Sequence, residues 1–247
     1  MRAMVLAAGL GTRLRPLTDS RPKALVTIGG RTLIELALAR LRAAGISEVI
    51  VNVHHFADAV VDYLQANKNF GMKIAISREE TLLDTGGGIK RAAWFFLESG
   101  NDEPFLVHNV DVLSMIDLAR MASFHAESRA LATIAVQNRT TSRYLLFDGE
   151  GRLCGRRAGQ NGAPELMRAV PRPTALAFAG IHVISPRIFP LLNEEGAFPI
   201  IPAYLRLAGT GESIAAFRDD GAYWRDLGRP QSLREAERDI ADGSYAI

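Results

Sequence analysis

Over the first half of the chain, short apolar runs alternate with longer amphipathic stretches: AMVLAA, LIELALARLRAAG, EVIVNV, DAVVDYLQAN, KIAISRE, GIKRAAWFFLES and PFLVHNVD, in that order. Several of the short runs are rich in Val and Ile and bounded by Gly, Pro or Asn, as buried strands are, and the stretches between them have helical spacing. This alternation predicts βαβ units around a mainly parallel sheet, with the first strand over residues 2–7. In such sheets ligands sit beyond the carboxyl ends of the strands. Residues 9–13, 52–55, 78–88 and 109–111 are therefore the positions to watch.

After about residue 115 the pattern changes. LATIAVQ, RYLLFD, GRLCGRR, ALAFAGIHVIS and SIAAFRD are strand-like and separated by turn dipeptides such as Asp148-Gly149, which predicts antiparallel pairing. The expected fold class is α/β: a Rossmann-like, mixed but mainly parallel central sheet flanked by helices, with a smaller antiparallel lobe. Residues 1–247 are expected to form a single domain, with a first lobe over 1–115 and a second lobe plus a closing helix over 116–247. The polar, Gly- and Pro-punctuated segment 155–173 reads as a mobile loop. The closing helix, SLREAERDIADG, offers Ser232 as N-cap and Glu235 as its capping-box partner. Trp94, Phe95 and Phe96 are expected in the core.

Composition narrows the possible partners. With 29 Lys+Arg against 27 Asp+Glu the net charge is only +2, and the basic residues are scattered. That excludes nucleic acid and membrane as partners and leaves a small polyanion. The single cysteine, Cys154, forms no internal disulfide, and no run of eighteen apolar residues exists to span a bilayer. A cytoplasmic protein is expected. Arg2 followed by AMVLAAGL imitates a signal peptide, but the run is of minimal length and cleavage near Ala8 would delete the glycines, so a buried strand fits better. His54 and His55, adjacent on a strand, face opposite sides and cannot chelate together.

The segment LAAGLGTRLRPLT (residues 6–18) raises a chemical question. A dinucleotide fingerprint needs a third glycine where this chain has Leu14, and the P-loop pattern is absent. What remains is a glycine loop after a strand, whose amides can line up on phosphate oxygens, with Arg13, Arg15 and Lys23 nearby. Two glycines alone fit an ordinary turn with solvated arginines equally well.

The longer string is more specific. G9-L-G-T-R-L-R-P-L-T18, then R21-P-K-A-L25 and G29-G-R-T-L-I-E35, resembles the N-terminal signature of the sugar-1-phosphate nucleotidyltransferases, or nucleoside-diphosphate-sugar pyrophosphorylases. D84-T-G-G-G-I89, N109-V-D111 and W224-R-D226-L-G228 followed by L233-R-E-A-E237 extend the resemblance over roughly residues 2 to 238. The D-T-G-G-G-I form and the short length are most similar to the N-acetylmuramate-1-phosphate uridylyltransferase and short mannose-1-phosphate guanylyltransferase types.

The resemblance implies the nucleotide-diphospho-sugar transferase fold, with the nucleotide on the first lobe and the sugar phosphate on the second. It implies transfer of a nucleotidyl group from an NTP, UTP before GTP, to a sugar 1-phosphate, in the supply of cell-wall or surface polysaccharide precursors. Gly11, Thr12 and the catalytic Arg13 would hold the β- and γ-phosphates, with the catalytic Lys23 near the α-phosphate. Asp111 and Asp226 would share one Mg²⁺. Ala7, Ala8, Gly9, Thr85, Gly86, Gly87 and Gly88 would line the nucleotide, the three glycines as a loop that the base and ribose approach closely. Glu79 or Glu80, with Glu80 preferred, would read a base edge. Asn109 and Gly180 would meet the sugar phosphate. Here the chain departs from the family pattern: G151-R-L-C-G-R-R157 stands where many members carry a Glu-Lys pair, leaving Arg156 or Arg157 as the cation. The enzyme is expected as a monomer or small homo-oligomer. A phosphorylated amino-alcohol such as phosphocholine as acceptor, or a catalytically silent nucleotide-sugar-binding subunit, would share the NTP half.

Overall fold

A computed structural model describes residues 1–245 apart from Ser99 and Asn101. In chain order its first half comprises β1 (Ala3–Leu6), β2 (Thr27–Ile28), β3 (Arg31–Thr32), α1 (Leu33–Ala43), β4 (Glu48–Val53), α2 (Ala57–Ala66), β5 (Lys73–Arg78), α3 (Asp84–Arg91), α4 (Ala93–Leu97), β6 (Phe105–Asn109), β7 (Val112–Ser114) and α5 (Leu118–Ser128). The second half adds β8 (Ala132–Gln137), β9 (Arg143–Phe147), β10 (Leu153–Ala158), β11 (Pro164–Leu166), β12 (Thr174–Ile184), α6 (Ile200–Gly209), β13 (Ile214–Arg218), β14 (Trp224–Asp226) and α7 (Pro230–Ala241).

One sheet runs through the molecule in the order β11-β10-β9-β12-β6-β1-β4-β5, with β8 also on β12 and β13 on β8. The half built from β6, β1, β4 and β5 is parallel, as βαβ crossovers require. The strands β9 to β12 pair antiparallel and continue the same sheet through the β6–β12 junction. The expected α/β class is what forms. Because successive residues of a strand face opposite sides, the sheet feeds two cores. Ala3 and Val5 pack with α1, α2 and α7 on one side, and Met4 packs with α3, α4 and α6 on the other. Thr32 caps α1 by accepting from Glu35 N at 3.3 Å.

Four sequence expectations change. The D-T-G-G-G-I segment is not a loop: all three glycines lie inside α3 and are buried. Segment 155–173 is not wholly loop, because β10 and β11 close a hairpin that pairs Gly155 with Leu166. Ser232 is not an N-cap; α7 begins two residues earlier at Pro230, a residue suited to the first helical position, and Glu235 instead pairs with Arg225. Phe95 and Phe96 are core, but Trp94 is 53% exposed on the outer side of α4.

Candidate active site

The ends of β1, β4 and β6 and the late strand β14 converge on one edge of the sheet. The chain leaves β1 through buried Ala7 and Ala8. The Ala7 N–H, which would be orphaned where the strand ends, donates to Asn52 Oδ1 at 2.7 Å. Asn52 Nδ2 donates to Glu79 Oε1 at 2.7 Å, and Glu79 Oε2 accepts from Leu83 N at 3.0 Å. Buried Glu79 thus tethers the end of β1 to the approach to α3, while Glu80 is exposed. Asn52 carries this tether and was not among the predicted site residues. Its only signal was its place in the strand-end window of residues 52–55.

Gly9 projects into open space, with nothing within 4 Å of where a Cβ would stand. Gly11 takes φ +64°, and a Cβ there would lie 2.9 Å from Thr18 Cγ2 and 3.1 Å from Lys23 Cβ. Only glycine satisfies both the conformation and the space. Its carbonyl accepts from Leu14 N at 2.8 Å and Thr18 Oγ1 at 2.9 Å, which folds the Thr12–Leu14 turn back over residue 18. The same turn brings up Lys23, buried at the start of a short 3-10 turn, whose ammonium pairs with Asp111 Oδ2.

Asp111 follows β6, and Asp226 ends β14. Although far apart in sequence, they become neighbours because β14 pairs antiparallel with β7, setting Asp226 opposite Val112, and Leu227 N donates to the Asp111 carbonyl at 2.8 Å. Asp226 Oδ1 accepts from Gly228 N at 2.8 Å. A Cβ on Gly228 would lie 2.5 Å from Arg13 Nη2 and 2.7 Å from Asp226 Oδ1, so the glycine loop's arginine and the second aspartate both flank Gly228. Across β6, Gly180 takes φ +76° within β12, where a side chain would strike Val112 and, at 3.0 Å, Asn109 Nδ2. Asn109 Oδ1 is buried with no partner.

The three helical glycines approach protein. A Cβ at Gly86 would fall 2.3 Å from Phe198 Cε2, at Gly87 2.5 Å from the Gly196 carbonyl, and at Gly88 2.9 Å from both Asn52 Nδ2 and Glu79 Oε1. The N–H groups of Gly86 and Gly87 both donate to the Phe198 carbonyl, and Thr85 Oγ1 accepts from Ile200 N. This end of α3 spends its first amides on the 196–200 segment. The segment expected as a loop is instead the start of a helix packed closely on residues 196–200, and Gly88 lies against the tether under Ala7.

Arg156 is not drawn to the site. Neighbouring residues of β10 face opposite sides, and Arg156 lies exposed, paired with Glu165 at 2.6 and 3.0 Å across the hairpin. Arg157 takes the other face, its guanidinium 5.2 Å from the centre of the Tyr144 ring. A third arginine, not predicted, stands near Asp226: Arg139, 3.5 Å from the Trp224 ring centre. Burial pushes its pKa below the ordinary value, and the nearby Asp226 and Tyr144 oppose that shift. His108 and His182 are fully buried behind the site and pushed down to about 4 and about 3 by that burial. His54 Nδ1 bonds the Glu79 carbonyl at 2.8 Å.

No group of three or more His, Cys, Asp or Glu assembles a metal cage among the described residues, and no helix among them is long and apolar enough to cross a membrane. The Nucleotidyl transferase family model matches residues 2–152, which covers β1, the glycine loop, Lys23, the α3 glycines and Asp111. An N-acetylmuramate alpha-1-phosphate uridylyltransferase of Caulobacter vibrioides is 35% identical, over 97% of either chain. A mannose-1-phosphate guanyltransferase of Yarrowia lipolytica is 30% identical over 94% of this chain, which spans 62% of that protein. Among solved structures, a UDP-glucose pyrophosphorylase from Acinetobacter baumanii superposes with a TM-score of 0.78 at 22% identity, covering 96% of this chain and 91% of its own. With the motifs gathered at one edge of one sheet and relatives matching along the full length, the chain belongs to the nucleotidyl transferase family, as an enzyme of its sugar-1-phosphate nucleotidyltransferase branch.

Proposed function

We propose that this chain transfers a uridylyl group from UTP to a sugar 1-phosphate of the N-acetylmuramate class, supplying an activated sugar for cell-wall precursors. The carrying observation is the meeting of Asp111 and Asp226 beside Lys23 and Arg13, at the mouth of an open glycine loop. UTP is preferred to GTP because the uridylyltransferase relative matches end to end, whereas the guanyltransferase is a longer protein matched in part.

In the proposed reaction an oxygen of the acceptor phosphate attacks the α-phosphorus. The new P–O bond forms as the bond to the α,β-bridging oxygen breaks, and pyrophosphate leaves with that oxygen. Little covalent work falls to the protein, so positioning and charge stabilisation dominate. Gly9 leaves room for phosphate, the 11–13 turn and Arg13 take the β- and γ-phosphates, and Lys23 neutralises charge near the α-phosphate. The two aspartates offer hard oxygen donors without sulfur or imidazole, a set that suits Mg²⁺ completed by phosphate and water oxygens. Bound there, Mg²⁺ would supply charge neutralisation at the α-phosphate. Ala7 and Ala8 form the floor for the base, held level by Asn52.

Pyrophosphate release measured across four NTPs and a panel of sugar 1-phosphates, with phosphocholine included, tests the proposal. Fastest turnover with UTP and an N-acetylated sugar 1-phosphate is expected. Preference for phosphocholine, or tight nucleotide-sugar binding without turnover, would overturn it.

A further inference from the structure

We infer that Arg139, seconded by Arg157, receives the phosphate of the acceptor in place of the lysine that this chain lacks. The inference rests on the reading of the site as a sugar-phosphate transferase and deepens it by assigning the acceptor's anion subsite. Arg139 lies just beyond β8 and is held from two sides. Its Nη2 donates to the Phe178 carbonyl at 2.6 Å, and its plane sits on Trp224, which is itself anchored by Nε1 donating to the Ala179 carbonyl at 2.8 Å. Trp224 stands two residues before Asp226 on β14, and Ala179 precedes Gly180, whose missing side chain makes room for Asn109. Every anchor of Arg139 is therefore a neighbour of a residue already placed at the site.

Arg157 joins from the sheet. Gln137, Ala177, Tyr144 and Arg157 are directly opposed across β8, β12, β9 and β10, so their side chains share one face. Tyr144 lies within reach of both guanidinium groups. The other side chains along this wall are bonded to protein: Gln137 Nε2 donates to the carbonyls of Asp219 and Ala222, both at 2.8 Å.

The two arginines are not satisfied. Nε of Arg139 and Nε of Arg157 are each buried without a partner, and among the described residues neither guanidinium forms an ion pair with a carboxylate. Native structures rarely leave charged donors in this state unless something else completes them. Stacking on an aromatic ring fixes a guanidinium plane and leaves its N–H edge for an anion, and the fork geometry matches phosphate oxygens where a lysine would act as a point charge. A phosphomonoester dianion fits two such groups.

Steady-state kinetics of the full chain, varying each substrate in turn, test the assignment. Charge-assisted hydrogen bonds of this kind are worth roughly a ten- to hundredfold change in binding. Arg139→Gln, which keeps a donor for Phe178, is expected to raise the acceptor KM by about that factor while the NTP KM moves less than about twofold. Arg139→Lys should recover part of the loss, and Arg157→Gln should raise the acceptor KM by a smaller factor. Millimolar inorganic phosphate should raise the melting temperature of the native chain and not that of Arg139→Gln. An unchanged acceptor KM in Arg139→Gln, or equal rises for both substrates with a lowered melting temperature, would overturn the inference. Failure of the native chain to turn over any sugar 1-phosphate would instead overturn the proposed function.

Discussion

Gly86→Ala is expected to destabilise the protein even though alanine favours a helix over glycine by about 1 kcal/mol. The new Cβ would stand 2.3 and 2.4 Å from two ring carbons of Phe198 and 2.9 Å from its carbonyl oxygen. Phe198 has little room to yield, because its ring is buried and its carbonyl accepts from the N–H groups of both Gly86 and Gly87. Overpacking of this kind costs about 1–3 kcal/mol, and weakening two hydrogen bonds adds about 1 kcal/mol for each. After the helix gain, the net loss is about 2–4 kcal/mol, which for a chain of this size lowers the melting temperature by about 4–16 °C. Thermal unfolding followed by circular dichroism, with Gly9→Ala measured alongside, reads the effect. A Cβ on Gly9 meets nothing within 4 Å, so that variant should melt with the native protein but bind NTP more weakly. A Gly86→Ala protein melting at or above the native temperature would refute the packing argument, since Phe198 would then have given way and helix propensity would have set the sign.

Asp111→Asn and Asp226→Asn should each lower kcat at least a hundredfold in Mg²⁺ with circular dichroism unchanged; near-native activity in either would remove that residue from the metal pair. Arg13→Ala should raise the NTP KM more than the acceptor KM, and the reverse pattern would invert the phosphate polarity assigned to the loop. Acidification should destabilise the fold before its carboxylates titrate. His108 and His182, held at about 4 and about 3 against an ordinary 6.5, are neutral when folded. Their contribution is complete above pH 6.5 and is lost as the pH falls, by up to about 1.4 kcal/mol per unit for each while the unfolded chain alone takes up protons. Urea midpoints at pH 7.5 and 5.5 measure it, and equal midpoints would exclude the buried-neutral assignment.

The parallel half of the sheet was legible because strand and helix periods differ and each run is cleanly bounded. The glycine string, Asp111 and Asp226 were legible as local words. Contacts that depend on which element lies opposite were not. Nothing in D-T-G-G-G-I tells that Phe198 will press on it, so three glycines read as a loop when they lie in a closely packed helix. Segment 155–173 lacks the apolar alternation of a strand, since β11 is exposed along its length, and pairing with β10 alone makes it one. Arg156 and Arg157 could be sorted only by knowing which face of β10 meets Tyr144. Arg139 sits in a polar turn with no motif around it, and its position is set by the Phe178 carbonyl and by Trp224, contributed by the last quarter of the chain.

The pairing of β7 with β14 also bears on how the molecule is made. A nascent chain can lay down β1, β4, β5 and β6 and close the Lys23–Asp111 pair while the segment carrying Asp226 is still unsynthesised. Throughout that interval the lysine supplies the first aspartate with a cation. Asp226 comes beside Asp111 only when the three residues of β14 pair with β7, so the proposed two-carboxylate seat depends on a late short strand.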